Sequence, residues 1–215
     1  MTDSTTQQLP KLVIRDQVGV CGVRDDTRVL AEVAAAAAAA PPGRALDLGT
    51  GTGYVGLYLA QLGWQVDAID VSPRAVDLTR ANAQANGLPM TVYVSNLFDE
   101  VQGTFDVIAF NPPMRPDESE TSRLLTSVLR RSPRLSHLLM LLVGDRFESN
   151  RTDFLRSVVA ESRRRLNPAG RLVLAINTKE IVEVAAWPGV RLLRKLPLPG
   201  MEPQEVAEYQ FEELT

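Results

Sequence analysis

Two short segments of this chain carry residue types that could do chemistry together. The first is Ala45-Leu46-Asp47-Leu48-Gly49-Thr50-Gly51-Thr52-Gly53, an apolar run that enters a glycine-rich turn. Glycines at 49, 51 and 53 permit a tight turn and let a ligand approach the backbone without meeting a Cβ. The second is Phe105-Asp106-Val107-Ile108-Ala109-Phe110-Asn111-Pro112-Pro113, an apolar run that ends in Asn-Pro-Pro. There the Asn111 amide oxygen and the Pro112 carbonyl are two acceptors, with no proline N–H competing, where the N–H of a substrate could dock. A nitrogen nucleophile attacking an activated carbon needs an aligned lone pair and acceptors for the positive charge that develops. It needs no strong base. A nucleotide-type turn paired with such a tip implies methyl transfer to nitrogen from an adenosine cofactor, S-adenosylmethionine.

Each piece also has a plainer reading. Gly51-Thr52-Gly53-Tyr54-Val55-Gly56 satisfies G-x-G-x-x-G, so an NAD-dependent oxidoreductase is an alternative. That alternative leaves Asn-Pro-Pro unexplained, unless the prolines merely end a strand. Asp70 can accept from both hydroxyls of an adenosine ribose. Otherwise it caps the helix that starts at Pro73, a place Ser72 already fills. Asn96, in Ser95-Asn96-Leu97-Phe98, can bond an adenine amine with Leu97 covering the ring, or can be a plain turn residue.

The elements that must position these residues follow from periodicity and punctuation. Residues 1–10 are polar and read as a disordered tail, with one domain over 11–215. Leu12–Val20 alternates as a short strand or hairpin. Asp26 or Thr27 can cap a helix through Val29, Leu30 and the alanine run, stopped by Pro41-Pro42. Strands then read at 44–48, 65–69, 91–95, 105–110, 171–176, 190–196 and 206–211. Helices read at 54–62, 73–86, 152–166 and 180–186. Ser72, Pro73 and Gly87 punctuate the second of these helices, and Asn167-Pro168-Ala169-Gly170 ends the third. Residues 115–138 are polar and Arg-rich, with a helix near 121–129.

Alternating strands and helices imply an α/β fold, a mostly parallel seven-stranded sheet covered on both faces. The last two strands are separated only by residues 197–203, which favours an antiparallel C-terminal edge pair. Ligands in such sheets sit outside the carboxyl ends of the strands. Gly49–Gly53, Asp70, Asn96 and Asn111 all fall there.

Bulk properties narrow the class. With 215 residues the chain fits one domain, and a formal net charge of −3 does not suggest bulk binding to nucleic acid. One cysteine (Cys21) and one histidine (His137) leave no Cys/His metal site and no intrachain disulfide. No apolar run is long enough for a signal core or a membrane span, so a cytoplasmic protein is expected. Arg163–Arg165 read as solvated charges at a helix C-terminus. Arg115, Arg123, Arg130, Arg131 and Arg134 read as loop charges more readily than as a substrate-reading patch. His137, Trp64 and Trp187 read as structural.

Over most of its length the chain resembles the class I S-adenosylmethionine methyltransferases with a single Rossmann-like domain. More narrowly, it is similar to the HemK-like, Asn-Pro-Pro-motif group that modifies glutamine amides or nucleic-acid bases. Val23-Arg24-Asp25-Asp26-Thr27 looks like the Asp-Thr segment that lies over the cofactor in that group, and Leu142–Arg146 has a loose counterpart. The resemblance implies that Thr27, Asp47, Gly49, Thr50, Gly51, Gly53, Asp70, Val71, Asn96 and Leu97 contact S-adenosylmethionine. In it Asp47 organises the methionine end, Asp70 takes the ribose and Asn96 the adenine. Asn111 and Pro112 would orient the acceptor nitrogen, with Pro113 and Met114 against the substrate. The family usually has an aromatic residue where Met114 stands; a thioether still offers a polarizable apolar surface. Few residues precede the Asp-Thr segment, so the recognition domain of release-factor methyltransferases is not expected. The expectation is an N-methyltransferase acting on a protein glutamine or a base, with a small-molecule methyltransferase as the main alternative.

Overall fold

The computed structural model describes residues 11–37, 42–112, 151–198, 200 and 203–212. In chain order these give α1 (Asp25–Ala36), β1 (Arg44–Leu48), α2 (Tyr54–Gln61), β2 (Gln65–Asp70), α3 (Pro73–Asn86), β3 (Thr91–Val94) and β4 (Phe105–Phe110). Residues 151–165 are helical and are called α4. Then come β5 (Leu166–Asn177), α5 (Thr178–Ala185), β6 (Val190–Pro197) and β7 (Gln204–Phe211). Among the described residues the strands form one sheet of seven, in the order β3-β2-β1-β4-β5-β7-β6. β1 to β5 pair in parallel, whereas β7 runs antiparallel to both β5 and β6. The α/β architecture and the antiparallel edge pair are those expected from the sequence.

Period-two alternation divides the core. Ala45, Val107, Ala109, Val173 and Ala175 face one side, where they meet Leu30 and Val33 of α1, Val55 and Leu59 of α2 and Val76 of α3. Their neighbours Leu46, Leu48, Ile108, Phe110, Leu172 and Leu174 face the other, against Leu155, Val158 and Val159 of α4 and Ile181 and Val184 of α5. Strands apolar on both faces need helices on both. Helix ends follow local chemistry. Ser72 Oγ accepts from the Ala75 amide, Pro73 opens α3, and Gly87 closes it at φ +65°.

Three expectations change. Residues 11–20 form no strand. They lie against α3, where the Asn86 side chain accepts the Val13 N–H and donates to the Val13 carbonyl, both at 2.8 Å. Asn82 does the same for Arg15, at 3.0 and 3.1 Å. Two side-chain amides one helical turn apart therefore supply what a neighbouring strand would have supplied. Secondly, α1 begins at Asp25 with Arg24 at its cap position, so Asp26 lies inside the first turn. Thirdly, β5 already starts at Leu166. Its register against β4 jumps from Phe105–Leu166 to Val107–Arg171, so residues 167–170 end the helix yet belong to a bulged strand. The Asn167 side chain pins that bulge to Asp106 at 2.7 Å.

Candidate functional site

Strand register assembles the carboxyl-end residues. Leu48 of β1 stands beside Ile69 of β2 and Phe110 of β4, and Asp70 stands beside Val94 of β3. Asn96, Asp70, Gly49 and Asn111, at or just past the ends of β3, β2, β1 and β4, therefore lie on four adjoining strands. The predicted positions from separate parts of the chain are brought to one rim.

The glycine turn is closed by its own backbone. Gly49, Gly51 and Gly53 all have positive φ, from +54° to +85°. A Cβ on Gly53 would come within 2.7 Å of Thr79 Cγ2, so side-chain strain and collision both favour glycine there. The Thr50 amide donates to the Ile69 carbonyl, and the Gly53 amide to the Thr50 carbonyl, each at 2.8 Å. Asp47, 3% exposed, anchors the inside of the turn. Its Oδ2 accepts from the Thr50 hydroxyl at 2.6 Å and from the Gly56 amide at 2.9 Å. Burial pushes the Asp47 carboxyl up to about 6, against the pull of those two hydrogen bonds, and the nearby Asp70 adds to the rise.

Asp70 holds the turn from the next strand. Its Oδ2 accepts from the Gly51 amide at 3.0 Å, and its Oδ1 from the Ser72 amide at 2.9 Å. Each oxygen keeps further acceptor capacity. Val71 beyond it is 66% exposed. On β3's side Asn96 is exposed; its side-chain amide donates to Asp99 at 3.3 Å and its backbone carbonyl accepts the Asp99 amide at 3.2 Å. Leu97 has φ +48°, the one described non-glycine residue with positive φ, and an apolar side chain in that conformation is strained. The Ser95 hydroxyl holds this turn by donating to the Leu97 carbonyl at 2.8 Å and accepting the Glu100 amide at 3.1 Å.

At the tip of β4, Asn111 is half-buried and Pro112 buried. Asn111 lies near enough to Asp26 of α1 to help hold its carboxyl down. Asp26 is 0% exposed and receives the Arg24 guanidinium at 2.6 Å, the Thr27 amide at 2.7 Å and the Thr27 hydroxyl at 3.1 Å. Burial alone would raise this carboxyl. The Arg24 hydrogen bond, the nearby Asn111 side chain, the Arg24 charge and the Thr27 amide outweigh it and hold Asp26 below the ordinary carboxylate range. Thr27, expected on the cofactor, thus has its hydroxyl engaged by Asp26. The sequence reading placed Arg24 and Asp26 in the segment over the cofactor but gave neither a role of its own. The available signal was an acidic residue one step into an apolar helix, which read as a cap.

The segment ahead of α1 completes the wall. The Cys21 carbonyl lies 3.4 Å from where a Gly51 Cβ would be. The Asn82 amide reaches the Thr52 carbonyl at 2.9 Å as well as Arg15. Pro113, Met114, the arginines at 115–134, His137 and Leu142–Arg146 lie outside the described residues. Among the described residues no group of three or more His, Cys, Asp or Glu could hold a metal ion. Nor is any helix among them long and apolar enough to cross a membrane.

A sequence model of the methyltransferase small domain matches residues 21–138, more than half of the 215. This chain belongs to the methyltransferase small domain family. The matched methyltransferase small domain segment runs from Cys21 through the turn, Asp70 and Asn111. Over 126 residues the chain is 36% identical to the ribosomal RNA small subunit methyltransferase C of Chromohalobacter salexigens, covering 57% of this chain and 38% of that protein. Over 145 residues it is 33% identical to the release factor glutamine methyltransferase of Deinococcus radiodurans, covering 66% and 49%. The chain thus spans less than half the length of these two relatives. A 16S rRNA N2 methyltransferase of Thermus thermophilus, solved with AdoMet and guanosine, superposes with a TM-score of 0.60 at 17% identity, over 91% of this chain and 45% of that one. At that identity the likeness concerns the fold, which is Rossmann-like.

Proposed function

We propose that this chain is an S-adenosylmethionine-dependent N-methyltransferase acting on an amide or amine nitrogen of a protein glutamine or a nucleic-acid base. The observation that carries the reading is Asn111-Pro112 at the tip of β4, next in register to the glycine turn of β1. Relatives named for rRNA and for release-factor glutamine methylation support the two acceptor classes.

The donor set fits a cationic adenosine cofactor better than a dinucleotide. A pyrophosphate would seek the free amides at the N-terminus of α2. Here the buried Asp47 carboxylate already occupies the Gly56 amide at 2.9 Å, and its charge repels phosphate. The same carboxylate attracts the ammonium and sulfonium of S-adenosylmethionine. Asp70 would take the ribose hydroxyls, Val71 and Leu97 would flank the adenine, and the side-chain oxygen of Asn96 would accept its amine. Gly49, Thr50, Gly51, Gly53 and Thr27 would shape the wall around it. When bound, the cofactor supplies a methyl group already activated for attack.

The chain's own residues then orient the acceptor. The Asn111 Oδ1 and the Pro112 carbonyl would each accept an N–H of the acceptor nitrogen, align its lone pair and stabilise the positive charge that grows on it. Pro113 and Met114 would bound the acceptor pocket. Titration calorimetry tests the cofactor half: S-adenosylmethionine and S-adenosylhomocysteine should bind and NADH should give no heat. Preferential NADH binding overturns the reading. Tritiated-methyl transfer to a glutamine peptide, to guanosine and to ribosomal RNA tests the acceptor half, and labelling of small metabolites alone would favour the small-molecule alternative.

A further inference from the structure

We propose that Ser95 is a positioning residue: its buried hydroxyl holds Leu97 at positive φ, and the strained turn so made presents Asn96 and Leu97 to the cofactor base and selects adenine. This rests on the methyltransferase reading and deepens it at the end of β3. Leu97, at φ +48°, is the one described non-glycine residue with positive φ. Leucine gains nothing there. Its Cβ crowds the following carbonyl oxygen, and it lacks the short polar side chain that lets asparagine bond locally in that conformation. Such a conformation persists only where the surroundings impose it.

The surroundings of Leu97 do so. Ser95 is 3% exposed. A hydroxyl has one hydrogen to give and lone pairs to receive. Ser95 Oγ gives its hydrogen to the Leu97 carbonyl at 2.8 Å and receives the Glu100 amide at 3.1 Å. Both sides of the turn are thus tied to one atom. Beyond it Phe98 and Val101 are buried, and Arg165 of α4 donates to both of their carbonyls. Between buried Ser95 and buried Phe98 only Asn96 and Leu97 stand outside the core. The Ser95 amide in turn donates to the Asp70 carbonyl at 3.0 Å. One residue therefore connects the expected ribose acceptor, through its backbone, with the expected base contacts, through its side chain. Asn96 Nδ2 donates to Asp99 Oδ2 at 3.3 Å, which leaves Oδ1 as the acceptor for a ligand. An acceptor there matches the exocyclic amine of adenine and opposes the carbonyl that hypoxanthine carries in its place. Ser95 does this without touching the base.

Calorimetry on the whole chain with two probes tests it: S-adenosylhomocysteine and S-inosylhomocysteine, in which that amine is replaced by a carbonyl. The wild type should prefer the adenine probe about tenfold or more. Ser95→Ala should weaken the adenine probe about tenfold and leave the inosine probe within about threefold, so that the preference collapses. In a Leu97→Gly background, where positive φ carries no strain, the same Ser95→Ala change should cost the adenine probe less than about threefold. An equal loss of both probes in Ser95→Ala marks general damage to the rim and overturns the proposal, as does full additivity of the two substitutions. Should Ser95→Ala not fold, the wild type decides. A preference for adenine together with slow hydrogen exchange of the Glu100 amide supports the role, and equal affinity for the two probes, or exchange as fast as in an open loop, overturns it. Equal binding of both probes leaves the methyltransferase reading standing and removes only this role, whereas a wild type that binds neither removes both.

Discussion

The Oδ2 of Asp47 lies 2.9 Å from the amide nitrogen of Gly56, nine residues further along the chain and across the glycine turn. Glycine at 56 leaves room around that contact. A Cβ there would stand 3.1 Å from the same oxygen and 2.6 Å from Met90 Cε. The contact places a buried negative charge at the N-terminus of α2, which favours it through the helix dipole, although burial still dominates and lifts the pKa to about 6.

The sign of the resulting pH dependence is definite. An aspartate raised from about 3.9 in the unfolded chain to about 6 in the fold favours folding most when protonated. Its contribution is fully present below about pH 4 and is lost as pH rises through the folded pKa. Asp47→Asn removes this titration, so its urea-unfolding free energy should vary less between about pH 4 and 7 than that of the wild type, by on the order of 3 kcal/mol. Parallel stability profiles for the two proteins would count against a raised Asp47. Binding should report the opposite trend. S-adenosylmethionine affinity should weaken in the wild type as Asp47 is protonated, and lose that dependence in the variant.

Asp70→Ala should weaken S-adenosylhomocysteine binding about tenfold or more, since hydrogen bonds to a charged acceptor are worth about 1.5–3 kcal/mol. Calorimetry on a variant with unchanged circular dichroism reads the effect. Unchanged affinity would mean that Asp70 serves only the Gly51 and Ser72 amides it already binds.

Asn111→Ala should leave cofactor affinity within about twofold of wild type and cut kcat by about 10²–10³, the typical loss when one preorganised contact to developing charge is removed. Single-turnover methyl transfer together with calorimetry separates the two effects. Full turnover would reduce Asn-Pro-Pro to a strand terminator and take the nitrogen-methylation proposal with it.

Asn82→Ala should release the segment ahead of α1. It removes the amide that ties Arg15 and Thr52 to α3 and leaves the Thr52 carbonyl without that donor. The cost should be about 1–3 kcal/mol. Hydrogen exchange at Val13 and Arg15 should accelerate well before that of the sheet. Exchange as slow as in the wild type would mean that other contacts hold the segment.

Much of the fold was legible in the sequence because its determinants are local. The period-two alternation of Ala45–Leu48 and Phe105–Phe110 sets strand faces without reference to the rest of the chain, and α3 runs from Pro73 to Asn86 as Ser72, Pro73 and Gly87 specify. The antiparallel edge pair followed from the short span between its strands. The rim positions Gly49, Asp70, Asn96 and Asn111 were found because each lies at or just past a strand end that the sequence marks.

What only the tertiary structure decided involves partners distant in sequence. The alternation of Leu12–Val20 promised a strand, yet Arg15 and Val13 are bonded by asparagines 67 and 73 residues away, so backbone pairing was unnecessary. Asp26 looked like a cap because Asp is a good one. It lies buried instead, since Arg24 and Thr27 surround it with donors. Bringing Asp26 toward the tip of β4 requires α1 to pack against that strand. That placement depends on burying Leu30 and Val33 against one face of the assembled sheet, a cooperative outcome that no local pattern encodes.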